Sequence, residues 1–225
     1  MFRVSDTWKA AYPGAVAGIL LMRNVANPDR HPVLDTRIAE CEAELRRSCG
    51  SSDRTALKSL SAVESYAAYY GRYRKTYHVQ LQLESVVLKG KAMPRGPALV
   101  AAMVMTELKH LLLTAGHDLD TIRPPVTLDV ATGHERYVLL RGNEQELKAR
   151  DMMMTDAHGV ISSVLYGPDS RTRITPATRH VLFAVYTPPG IGEPAVLHHL
   201  EELKAAVLLV APAAEITTLQ AYPAG

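Results

Sequence analysis

The chain has 225 residues, 47% of them apolar and 21% charged, and carries a net charge of +2. A chain of this length buries roughly 70% of its unfolded surface, so disorder is not the default and one domain or two interleaved subdomains are allowed, with one domain over 1–225 the expectation. The charge falls short of the excess that marks a dedicated nucleic-acid binder, so any RNA contact has to come from a local patch.

Phe2 to Val4 and Ala15 to Met22 read as strands, the second nearly continuous in apolar residues and therefore buried. Tyr12, Pro13 and Gly14 supply the turn between them. The run from Ala15 holds eight residues and follows Asp6, too short for a membrane span and wrongly flanked for a signal peptide. From Pro32, the spacing of Leu34, Ile38, Cys41 and Leu45 predicts a helix, with Asp35 early and Arg46 and Arg47 late to suit its dipole, closed by Gly50. Cys41 and Cys49 are eight positions apart on it, roughly 12 Å at the helical rise, which is beyond disulfide reach. Two reduced thiols fit a soluble, cytoplasmic protein.

Residues 51–77 predict a partly helical excursion. Val79, Leu83, Val86 and Val87 mark a short amphipathic helix ended by Lys89, Gly90 and Lys91. Pro97 opens the next helix, where it costs no hydrogen bond, and the apolar run Ala98 to Met105 predicts a central buried element that surfaces at Glu107, Lys109 and His110. Thr114 to Asp120 (Thr-Ala-Gly-His-Asp-Leu-Asp) reads as a connector leaving the core. After Ile122 the pattern changes to short strands at Val126 to Ala131, Tyr137 to Leu140, Met152 to Thr155, Val160 to Tyr166 and His180 to Tyr186. Pro194 starts a last helix with Val196, Leu200, Leu203 and Val207 on one face and His198 and His199 on its polar side, and Ile216 to Tyr222 ends the chain as a strand. The expected class is α+β, sheet packed on sheet with flanking helices.

Several groups carry possible chemistry. His117 beside Asp118 and Asp120 is suited to position or deprotonate a water, and the two aspartates equally suit capping a short turn. Asp169, Ser170, Arg171, Thr172 and Arg173 form a turn dense in hydroxyls and charge, able to bind an ammonium, a sugar hydroxyl or a phosphate, or simply a solvated hairpin. Arg72, Arg74 and Lys75 alternate with Tyr69, Tyr70 and Tyr73, a composition that stacks bases and neutralises phosphates. Lys89, Lys91 and Arg95 make a second cationic patch, and either patch is also ordinary solvated surface. The histidines lack zinc-ligand spacing, and there is no phosphate-binding loop, dinucleotide fingerprint or nucleophile elbow, so no metal and no cofactor are expected.

The segments Pro97 to Ile122 and Tyr166 to Tyr186, with Gly133, His134 and Glu135 and with Leu140, Arg141 and Gly142 between them, resemble the B3/B4 domain, the tRNA-editing part of the bacterial phenylalanyl-tRNA synthetase β subunit, and its freestanding relatives. The resemblance covers about residues 76–186. It implies a B3/B4-type fold and hydrolysis of aminoacyl esters on mischarged tRNA, acting in trans, with no membrane partner. In that frame His117 or Asp118 would act on the water, Thr172 and nearby backbone on the oxyanion, and Asp169 or Glu135 on the substrate ammonium, with Ser170 and Arg171 beside them. The synthetase pocket uses a Thr-Asn pair, a histidine and a glutamate; the alignment sets Met103 and Val104, Ala115 and Ala184 at those places. A binding module that kept the fold without the reaction, and a binder of small amino-acid-like molecules, are the alternatives.

Overall fold

The computed structural model describes residues 2–50 and 52–225; Ser51, the first residue of the predicted 51–77 excursion, lies outside them. Ser5 accepts a hydrogen bond from the Trp8 amide at 2.9 Å and so starts a helix that sequence patterning missed,. The chain runs β1 (Phe2–Val4), α1 (Asp6–Ala11), β2 (Val16–Arg23), α2 (Pro32–Cys49), α3 (Arg54–Lys58), α4 (Ser61–Gly71), α5 (His78–Val87) and α6 (Ala98–His110). It continues through β3 (Thr114–Asp118), a single 3-10 turn at Leu119–Thr121, β4 (Val126–Val130), β5 (Arg136–Val138), β6 (Glu144–Glu146), β7 (Met152–Asp156), β8 (Gly159–Ser163), β9 (Gly167–Pro168), β10 (Val181–Thr187), α7 (Glu193–Leu208) and β11 (Glu215–Pro223).

These strands build a four-stranded sheet in the order β11-β2-β10-β3, a five-stranded sheet β1-β4-β7-β8-β9, and the hairpin β5-β6. The four-stranded sheet is antiparallel throughout, and β2 and β10 are buried along almost their whole length, which is why both read as continuous apolar runs. Its two faces are covered differently. On one face lies α7, whose Val196, Leu200, Leu203 and Val207 are all buried. A side chain at Gly18 of β2 would sit 2.5 Å from Val196 Cγ1, so only glycine admits this close approach,. The other face meets the five-stranded sheet, where Tyr186 Oη of β10 bonds Ser162 Oγ of β8 at 2.5 Å. The α+β, sheet-on-sheet architecture with outer helices is the one expected.

The tyrosines of α4 and its flank act as buried struts between layers. Tyr66 donates to the Tyr186 carbonyl and accepts from the Leu113 amide at 2.9 Å. Tyr69 bonds Asp151 at 2.6 Å, and Tyr70 bonds the Val164 carbonyl at 2.6 Å. Tyr69 and Tyr70 are therefore not free for base stacking, contrary to the sequence reading, because each hydroxyl satisfies a buried partner and each ring fills core,. Two further expectations are corrected. Glu107 does not surface: it is 4% exposed and accepts the Thr114 amide at 2.9 Å. His199 leaves the polar face of α7 to bond Thr114 Oγ1 at 2.9 Å, fully buried.

Candidate functional site: a cleft at the edge of β3

Thr114 to Asp118 is a strand, and the predicted connector is thereby corrected. Its residues are too small and polar to show apolar patterning, and pairing with β10 makes them a strand: Ala115 opposes Ala184, Gly116 opposes Phe183, and His117 opposes Leu182. Leu111, in the left-handed conformation, ends α6 and turns the chain into this strand.

As the outermost member of its sheet, β3 has one free edge. Tyr186 donates to the Leu113 carbonyl and Leu119 to the His180 carbonyl, so odd-numbered residues bond β10 and even-numbered ones project outward. Thr114 N–H then reaches Glu107, and Asp118 N–H reaches the Thr172 carbonyl at 2.7 Å. The N–H and C=O of Gly116 also point outward, and neither meets a backbone partner among the described residues.

A cleft of about 310 Å³ opens at that point. Val100 and Met103 of α6 form one wall and Thr114, Ala115 and Gly116 the floor, while Leu140, Pro168, Arg173 and Ile174 close the far side. The lining is mainly apolar, with a guanidinium and a strand edge as its polar features, the usual make-up of a small-molecule site. A Cβ on Gly116 would lie 2.7 Å from Ile174 Cδ1 and 3.1 Å from Met103 Sδ, so a larger residue there fills the cleft. Met103 and Ala115, both named from sequence, line it; Val104 and Ala184 do not.

His117 is on the opposite face of β3 from the Gly116 contacts, buried between the sheets. Its Nδ1 lies 2.7 Å from Thr172 Oγ1, and the Thr172 hydroxyl donates to Asp169 Oδ1. With that proton committed, we assign the donor role to His117 Nδ1–H, which leaves Nε2 a bare lone pair, buried and without a protein partner,. Burial, and then the nearby Arg171 charge, hold the imidazole down at about 3, so it is neutral near pH 7,. Asp169 is 4% exposed; burial raises its carboxyl, offset in part by the bonds from Thr172. Asp118 bonds Thr178 Oγ1 at 2.6 Å and accepts the Asp120 amide at 3.1 Å, so it caps the turn. The connector and the threonine-rich segment thus meet, but through a buried hydrogen-bonded network beside the cleft.

The remaining candidates are separated from it. Arg171 makes a two-pronged bond to Asp156, 2.9 Å on each arm. Burial would raise the Asp156 carboxyl, but Arg171 and the Arg123 and His158 amides outweigh it and the net shift is downward. Ser170 belongs to the same turn, and its carbonyl accepts from Arg173 Nη1 at 3.3 Å. Glu135 folds over its own turn, accepting from the Thr132, Gly133 and His134 amides; burial raises its carboxyl, but the bonds from the Thr132 amide and hydroxyl and the Gly133 amide help to outweigh it and bring it down to about 2. Neither Glu135 nor Asp169 lines the cleft. Among the cations, Arg72 stacks over Tyr12 and Tyr69, Lys75 sits 4.5 Å from the Tyr166 ring centre, and Arg95 pairs with Glu42 at 3.2 Å and Asp35 at 3.6 Å. Arg72, Arg74, Lys75, Lys89 and Lys91 are exposed. The sequence reading missed Gly116, Arg173 as a cleft residue and Thr114. The signal for Gly116 was a glycine flanked by strand-compatible residues, which marks close backbone approach.

Comparison with known proteins gives a consistent fold. The sequence matches the model of the B3/4 domain over residues 64–201. A solved structure similar to the chain is an N-terminal fragment of the phenylalanyl-tRNA synthetase beta-subunit from Pyrococcus horikoshii, with 15% identity and a TM-score of 0.50, covering 99% of this chain and 54% of that one. The chain spans about half the length of that fragment. No curated protein matches by sequence, and no helix among the described residues is long and apolar enough to cross a membrane.

Proposed function

From the premise that this chain belongs to the B3/4 domain family, we propose that the cleft at the edge of β3 receives the aminoacyl end of a mischarged tRNA and that the chain hydrolyses its ester in trans. The observation that carries the reading is the unpaired backbone of Gly116, a donor and an acceptor presented side by side on the floor of an apolar cleft. An aminoacyl ester offers the complementary set: a carbonyl oxygen that becomes an oxyanion, an ammonium, and a side chain to be enclosed.

In this reading the Gly116 N–H stabilises the developing oxyanion and its C=O holds the ammonium, while the apolar lining of Met103, Ala115 and Ile174 selects a compact apolar side chain. Arg173 at the rim meets a phosphate of the tRNA end, and the exposed Arg72, Arg74, Lys75, Lys89 and Lys91 extend the contact along the backbone. Water adds to the carbonyl, the carbon–oxygen bond to the ribose breaks, and the proton ends on the ribose oxygen. Among the described residues Arg173 is the one ionisable side chain lining the cleft, so catalysis rests on orientation and oxyanion stabilisation. Deacylation of a panel of mischarged tRNAs tests this: the account expects turnover of at least one tRNA charged with a compact apolar amino acid, lost in Gly116→Val, and no turnover above the spontaneous rate on any tRNA removes the hydrolase.

The replacement of all four polar synthetase groups, together with the structural engagement of His117 and Asp118, favours a second reading, a tRNA-binding module without hydrolysis. Salt-dependent tRNA binding with no turnover distinguishes it, and changing Arg72, Arg74 and Lys75 to alanine then flattens the log–log salt slope by roughly one to three counterions.

A further inference from the structure

A second cavity, of about 480 Å³, lies apart from the cleft, where the end of α6 meets the first turns of α7. His110 and His198 both line it. His198 and Glu202 are one turn apart on α7, and His110 faces them from the end of α6. His110 Nε2 is 3.3 Å from Glu202 Oε2, His198 Nε2 is 3.6 Å from Glu202 Oε1, and one ligand atom from each of the three lies within 4.8 Å of the others.

A tetrahedral ion with bonds near 2.0–2.1 Å spaces its ligands about 3.3 Å apart. The two contacts run to different oxygens of Glu202, and one oxygen comes to that spacing from both imidazoles by rotation of the carboxylate and of His198, whose side chain is 66% exposed. Two imidazoles and one carboxylate suit zinc and its neighbours better than magnesium or calcium, which prefer all-oxygen shells. We propose that His110, His198 and Glu202 form a site for a zinc-type divalent cation, with three protein ligands and one open coordination position facing the cavity.

One neighbouring group opposes the ion. Lys109 Nζ lies 2.8 and 2.6 Å from the two Glu202 oxygens and must swing away as the metal arrives. Its side chain is 26% exposed and has a route to solvent. Lys109 therefore sets the affinity: removing its ammonium frees the carboxylate without touching a ligand. His199 packs edge-on against His110, ring centres 5.3 Å apart, and its Nε2 bonds Thr114, which lines the cleft. One buried imidazole thus separates the metal position from the strand that floors the candidate active site.

The test is titration of the full chain with Zn²⁺ alone by calorimetry, and with Co²⁺ alone by visible absorption. The wild type should bind one ion, and Co²⁺ should give the intense bands of a four-coordinate centre. His198→Ala, at an exposed position that leaves the fold intact, and Glu202→Gln should each weaken binding at least tenfold, whereas Lys109→Met should tighten it. Zn²⁺ binding that is absent, unchanged by His198→Ala, or weakened by Lys109→Met overturns the proposal; none of these outcomes bears on the cleft, whose activity is read separately.

Discussion

Glu107 gives the sharpest test of how the edge strand is held. Its carboxyl is buried at the end of α6 and accepts the Thr114 amide at 2.9 Å. Burial pushes its pKa from the ordinary 4.5 up to about 8, opposed in part by that hydrogen bond. Below pH 4.5 folded and unfolded chains both hold the proton, and the group adds no pH dependence. Between 4.5 and 8 the unfolded chain releases it and the folded chain does not, so stability falls as pH rises, by up to about 1.4 kcal/mol per unit. Over that window the ceiling is about 5 kcal/mol, and an effective dielectric above that of a dry interior reduces it to roughly 2–4 kcal/mol. Glu107→Gln keeps an oxygen for Thr114 and cannot ionise. Urea unfolding of both proteins at pH values of about 5, 6.5 and 8 should show the variant gaining on the wild type steadily with pH. A difference independent of pH over that range would mean that Glu107 is ionised in the fold, and the burial argument would be wrong.

Gly18→Ala should cost about 1–3 kcal/mol in chemical denaturation, because its Cβ would meet Val196 at 2.5 Å and overpack the α7 interface; an unchanged midpoint would show that α7 sits farther off than described. His117 carries the opposite pH sign from Glu107. Burial holds it down at about 3 against an ordinary 6.5, so the unfolded chain takes up a proton below 6.5 that the folded chain refuses, and stability drops on acidification until about 3. His117→Asn retains an N–H for Thr172 and removes this loss, so its stability relative to wild type should improve as pH falls from about 6.5 to 4, by no more than about 1.4 kcal/mol per unit; a parallel decline in both proteins contradicts a buried neutral imidazole.

Elements whose identity lies in local pattern were legible. The face of α7 and the continuous apolar run of β2 announced themselves through spacing, and the start of α2 through Pro32 at its first turn. β3 was hidden because its strand character is supplied by β10, some seventy residues away, and Ala-Gly-His-Asp carries no periodicity of its own. The tyrosines were misjudged for a different reason. Tyr66, Tyr69, Tyr70, Tyr73 and Tyr77 follow the spacing of one helix face, which signals burial, but the cations between them drew the reading toward RNA. His117, Asp118, Asp169 and Thr172 lie together, and their polar atoms are spent on hydrogen bonds between β3 and the segment after β9. Met103 and Ala115 reached the cleft, whereas Gly116 offers only backbone, which residue-type reasoning overlooks.

The proposed reaction requires that the strand edge at Gly116 receive an aminoacyl group. Calorimetric titration with non-hydrolysable amide analogues of 3′-aminoacyl-adenosine, carrying a series of side chains, addresses it without requiring turnover. Wild-type binding should favour compact apolar side chains and be lost in Gly116→Ala, where the added methyl crowds Ile174 and Met103 and takes up the floor of the cleft, while Arg72→Ala should bind these tRNA-free analogues as the wild type does. Binding that survives Gly116→Ala unchanged, or no binding of any analogue by the wild type, contradicts it.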